Sequence, residues 1–133
     1  MVLGRLVGAY RIGLNVEQAL REAVENVNEQ LKVLPGKISK GSLRVIVKAG
    51  FRGGGVQILL VVDEEAEDME KFVVGANCRG FEEDKATDRA IREIQRQLDE
   101  LGGGELVDVH STVITVPGQA YSTIIVAVNR RRR

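Results

Sequence analysis

The sequence predicts an α/β chain of the α+β kind, built from two tandem copies of one β-α-β-β unit folded as a single domain. Three observations carry this: an internal repeat, a pair of amphipathic helical stretches that each follow a strand, and strand segments that are apolar at consecutive positions.

The repeat is found by sliding the chain against itself by 67 residues. Val7-Gly8-Ala9 then falls on Val74-Gly75-Ala76, Gly13 on Gly80, Ala19 on Ala86, Ala23 on Ala90, Gln30-Leu31 on Gln97-Leu98, Leu34 on Leu101 and Gly36 on Gly103. That is ten identities without a gap between residues 7 and 36, and a repeat of this kind governs the fold. The same offset places Ile58-Leu59-Leu60-Val61 on Ile125-Val126-Ala127-Val128 and Leu43 on His110.

In the first copy, Val16, Ala19, Leu20, Ala23, Val24, Val27, Leu31 and Leu34 recur at the spacing of one helix face. Asn15 suits the N-cap, Gln18 stands where a capping box needs it, and Pro35-Gly36 ends the helix, giving a span of 16–34. The second copy puts Ala86, Ala90, Ile91, Ile94, Leu98 and Leu101 on its face and breaks at Gly102-Gly103-Gly104, giving 83–101. Segments rich in Val, Ile and Thr predict strands at 2–10, 43–49, 56–63, 70–77, 106–116 and 121–129, with residues 117–120 closing a hairpin.

The last strand of each copy, residues 56–62 (VQILLVV) and 123–128 (TIIVAV), does not alternate polar with apolar, so both of its faces need cover. Antiparallel sheets with helices outside, in a four-layer α/β/β/α order or completed by a second subunit, satisfy that need. The expected organisation is one domain over 1–133, with repeats at about 1–66 and 67–129 and a basic tail at 130–133 read as a solubilising end.

Composition narrows the function. Nineteen basic residues balance nineteen acidic ones, so no overall field draws the chain to nucleic acid or to an anionic membrane. A single cysteine, Cys78, and a single histidine are too few for a structural zinc site and suggest a reducing, cytoplasmic setting. No apolar run approaches the roughly 20 residues that span a bilayer, so a membrane is not expected as a partner.

A strand ending in Val7-Gly8, a short connection, and Val16-Glu17-x-Ala19-Leu20-x-x-Ala23-Val24 entering a helix followed by two strands resembles the dodecins, flavin-binding β-α-β-β proteins that assemble into hollow shells. Val74-Gly75 and Ala86-x-x-x-Ala90-Ile91 repeat the likeness. Dodecins stack flavin on a tryptophan that this chain lacks, so the flavin role is not carried over and no cofactor is expected. The duplicated unit also resembles the pyruvoyl-dependent arginine decarboxylases, whose cofactor arises by cleavage at a serine. Ser39 and Ser42 are the nearby serines, without that family's Ser-Ser pattern.

Candidate site residues are few. Asp108 and His110 share a strand face with Thr112 by alternation, and a carboxylate beside an imidazole can do acid-base work. Because His110 falls on Leu43, a core position, the expectation is that His110 points inward. The turns expected at 8–13 and 75–80 lead to helix N-termini able to hold an anion; Glu82, Glu83 and Asp84 oppose that in the second, leaving Arg11 as the ligand-binding candidate in the first. Arg52 and residues 130–133 are local basic features, but the acidic opening Glu82-Glu83-Asp84 would repel a phosphate backbone, so nucleic acid is not expected.

The reading is a non-catalytic homo-oligomer that binds a small ligand or serves as a scaffold. The alternatives are a small enzyme centred on Asp108 and His110, and an RNA-associated protein using Arg52 and the tail.

Overall fold

The computed structural model describes residues 4–50 and 53–132. Its elements run β1 (Arg5–Gly13), α1 (Val16–Lys32), β2 (Lys37–Ile38), β3 (Arg44–Gly50), β4 (Gly53–Asp63), β5 (Met69–Gly80), α2 (Glu83–Leu101), β6 (Glu105–Val116) and β7 (Gln119–Arg131). Both helices and all six expected strands are present; residues 2 and 3 of the first expected strand lie outside the described residues. The two-residue β2 is an addition, too short to show as a pattern. Among the described residues no helix is long and apolar enough to cross a membrane.

Local chemistry explains the boundaries. Asn15 caps α1 by accepting a hydrogen bond from the Gln18 N–H at 2.8 Å, while the Gln18 side chain accepts from the Leu14 N–H, one residue before the cap. Gly102, at φ +78, ends α2 in the left-handed conformation that favours glycine. At Gly13 and Gly80, equivalent in the repeat, an added Cβ would meet the amide nitrogens of Ala19 and Ala86 at 2.9 and 2.6 Å. Each helix therefore turns back tightly onto the strand before it. The segments 8–13 and 75–80, expected as turns, are instead the C-terminal parts of β1 and β5.

The fold is α+β with two antiparallel sheets. In sheet A, β4 is central, with β1 on one edge and β2 and β3 on the other; in sheet B, β7 lies between β5 and β6. The two copies thus share one topology, with the first strand at an edge and the last in the centre. Their last strands, however, match at a register one residue different from that of the helices. Val7 pairs with Leu60 and Val74 with Val126, so Leu60 corresponds to Val126 and Ile58 to Ile124. By the same pairing His110, opposite Ile125, corresponds to Arg44, opposite Leu59, and not to Leu43. A one-residue slip exchanges the faces of a strand, which is how the sequence alignment misassigned them.

The layer order follows from these faces. On sheet A, the face of Val7, Val56, Ile58, Leu60 and Val62 packs on α1, and the same core cluster continues into Val73, Val107, Ile125 and Ala127 of sheet B. On sheet B, the opposite face, with Val74, Ala76, Ile124, Val126 and Val128, packs on Ala90 and Ile94 of α2. Helix α1 therefore lies between the sheets, touching β1 and β4 on one side and β5 on the other, with a charged stripe left in solvent. The order is sheet A, α1, sheet B, α2. This corrects the expected α/β/β/α order with helices outside: only α2 is an outer layer. The repeats stack head to tail, not face to face.

Amide side chains fasten this stacking. Asn129 of β7, 2% exposed, accepts from the Ile38 N–H and donates to the Ile38 carbonyl, both at 2.9 Å, so it completes the bonding of a buried strand in the other repeat. Asn28 of α1 does the same for Val73 of β5, at 2.7 and 3.0 Å. The described part of the basic tail is also bound: Arg130 and Arg131 continue β7, Arg130 pairs with Glu70 and donates to the Leu101 carbonyl, and Arg132 pairs with Asp68. It is not a free solubilising end.

Asn129→Ala leaves the buried N–H and C=O of Ile38 without partners, at roughly 1–3 kcal/mol for each group. Urea denaturation is expected to show a loss of about 2 kcal/mol or more, against less than about 0.5 kcal/mol for the exposed control Glu29→Ala. Equal losses would contradict the role assigned to Asn129.

Candidate functional site

Asp108 and His110 both lie on the half-buried face of β6 that turns toward sheet A. Their surroundings assign them separate tasks. A β-bulge between Leu106 and Asp108 swings the carboxylate across the gap between sheets, where Oδ2 accepts from the Leu43 N–H at 2.8 Å and Oδ1 accepts from the Val109 N–H at 2.9 Å. Next to it, the Val107 carbonyl accepts from the Gly41 N–H. Asp108 thus ties sheet B to the loop before β3. The His110 Nε2 is 3.3 Å from the Thr112 hydroxyl on the same strand. Arg11 is on β1, at the far edge of sheet A from β3, and donates to the carbonyl of its neighbour Tyr10. The three candidates do not converge on one site.

The remaining sequence candidates are engaged structurally. The Ser42 hydroxyl accepts from the Val61 N–H at 3.1 Å, and the Ser39 N–H donates to the Val61 carbonyl, so both serines extend the bonding of β4 beyond β2. Cys78 is half-buried on the α2 side of β5, where burial pushes its thiol pKa up and away from reactivity. Arg52 lies outside the described residues. Lys71, which the pattern did not single out, is buried on the sheet A side of β5; burial lowers its pKa, and its ammonium group donates to the Met69 carbonyl and stands 3.9 Å from Asp68. Alternation with Val73 was the available signal for its inward direction.

A cleft of about 820 Å³ opens where the ends of the sheets meet the start of α1, with Asn77, Arg79, Tyr121 and Glu17 among its polar lining. It is open to solvent, and these polar groups belong to three different elements.

The most distinctive surface is the outer face of sheet A. Alternation brings Leu6, Tyr10 and Ile12 of β1, Leu59 and Val61 of β4, and Ile46 of β3 to one side, away from α1. Leu6 is 69% exposed, Ile12 70% and Ile46 51%, and no element of the described chain packs over them. The corresponding face of sheet B is covered along its central strand: Ile125 and Ala127, equivalent to Leu59 and Val61, are both 0% exposed. Gln57 separates Tyr10 from Ile46 on this face, and exposed apolar faces of this size are uncommon on chains that stay alone. The signal was present in the sequence, as adjacent apolar residues in β4; which copy keeps its second face open was not.

For the paired candidates on β6, Asp108→Ala is expected to destabilise by about 1.5–3 kcal/mol through loss of a charged acceptor, and by more than His110→Ala. Denaturation of the two variants side by side checks this, and equal losses would mean the bulge holds without its carboxylate. No family model, curated protein or solved structure matches this chain.

Proposed function

We propose that the protein is a non-catalytic scaffold that assembles with copies of itself through the outer face of sheet A. The observation that carries this reading is the contrast between two equivalent faces: the one on sheet B is buried by the neighbouring repeat, and the one on sheet A is bare. Burying a side chain the size of Leu or Ile contributes about 1.5–3 kcal/mol, so covering Leu6, Ile12 and Ile46 together supplies a substantial driving force for association. The separation of Arg11 from Asp108 and His110, and the structural engagement of Asp108, favour a scaffold over an enzyme. The resemblance to the shell-forming dodecins points the same way. The same proposal takes the chain to act in the cytoplasm, on the strength of its lone cysteine.

Equilibrium ultracentrifugation at micromolar concentration tests the proposal. The expected mass is a multiple of the 14.6 kDa chain, and Ile12→Asp, at a position already in solvent, is expected to reduce it while leaving the chain folded. A clean wild-type monomer would overturn the scaffold reading.

A further inference from the structure

The exposed apolar residues of this molecule form two surfaces, not one, and the repeat relates them. Within the chain, sheet B's inner face is covered by the flank of α1 carrying Leu20, Val24 and Asn28, and shares its core cluster with Leu43, just before β3, and with Val45 and Val47 of β3. Gly75 sits under this contact, where an added Cβ would be 3.1 and 3.2 Å from the side chains of Leu20 and Val24. In the second repeat the equivalents of Leu20, Val24 and Asn28 are Thr87, Ile91 and Gln95 of α2, and those of Leu43 and Val47 are Val109 and Val113 of β6. No element of the described chain covers Ile91, Val109 or Val113. Ile91 is accordingly 52% exposed and Val109 57%, with Val113 also in solvent.

The receiving face shows the complementary relation. Val73, Gly75 and Asn77 of β5, which lie under α1, correspond to Leu6, Gly8 and Tyr10 on the outer face of sheet A. The chain therefore carries both halves of its own inter-repeat interface, one open at each end of the stack. Net charge agrees with this pairing: Asp84, Asp88 and Asp99, with Arg92 as the one cation beside them, lie along the helical stripe of Ile91 and Gln95, whereas Arg44 and Lys48 flank Ile46 on the receiving face, all of them exposed.

We propose that the occupant of sheet A's outer face is the α2 and β6 side of a second copy, so that the packing joining the two repeats inside one chain is repeated between chains. In this arrangement Gln95, carrying the same amide as Asn28, bonds the edge backbone of β1 at Leu6 as Asn28 bonds Val73. The contact is heterologous, because the two surfaces differ, and it generates a ring or a filament according to whether the rotation closes. This inference rests on the scaffold reading and specifies its interface.

Two variants test it. Leu6→Asp with Tyr10→Asp disables the receiving face, and Ile91→Asp with Val109→Asp disables the donating face; circular dichroism confirms that each is folded. Each variant alone is expected to be a monomer, and an equimolar mixture is expected to shift to twice the 14.6 kDa chain mass, since one intact face of each kind remains. If a double variant unfolds, the single substitutions Tyr10→Asp and Val113→Asp take its place with the same expected readout. A donating-face variant that assembles like wild type, or monomeric variants that stay apart on mixing, would overturn this inference and leave the scaffold reading standing. A wild-type monomer would overturn both.

Discussion

A β-α-β-β unit makes one sheet and one helix, and a helix covers only one face of a sheet. When the central strand is apolar on both faces, as β4 and β7 are, each unit is left with an uncovered face, and the rest of this structure is a response to that shortage. Head-to-tail stacking solves it once: α1 serves two sheets, lying on β1 and β4 of its own and against β5 of the next. It cannot solve it at both ends, so the bare face of sheet A and the open flank of α2 are consequences of the same geometry.

A helix wedged between sheets also brings polar backbone into buried contact, and the chain answers with side-chain amides and one carboxylate. Asn28 and Asn129 substitute for missing strand neighbours, Asp108 holds the amide of Leu43, and Gln30 and Gln97, equivalent in the repeat, donate to the carbonyls of Gly8 and Gly75. These last two act on the edge strands β1 and β5. An edge strand with unpaired groups is a template for unspecific pairing, and a side chain that occupies those groups reduces the hazard while leaving the sheet face free. Assembly through faces and protection of edges are therefore compatible in one molecule.

Much of this was legible in the sequence. The identities spaced by 67 residues located both helices, and the capping pair Asn15 and Gln18 and the glycines after Leu101 set boundaries that the structure keeps within two residues. The layer order was not legible, for a physical reason: residues 56–62 and 123–128 are apolar at nearly every position, so they align equally well in either of two registers that differ by one residue. Only the strand pairing of Val7 with Leu60 and Val74 with Val126 resolves it. His110 was matched to the core residue Leu43 by that slip, whereas its true counterpart is the exposed Arg44. Asp108 was singled out for acid-base chemistry because alternation reveals a shared face but not the bulge that sends its carboxylate to another sheet. The β2 pairing escaped notice because two residues carry no periodicity.

In the proposed assembly one physical contact occurs twice, once within the chain and once between chains. Hydrogen–deuterium exchange measured across a concentration series distinguishes this assembly from a chain that stays alone. Amides of β1 around Leu6 and of β6 around Val109, both on edge strands, are expected to gain protection together as concentration rises, while those of β7 are protected throughout. Protection that rises in β1 alone, or in neither strand, would contradict it.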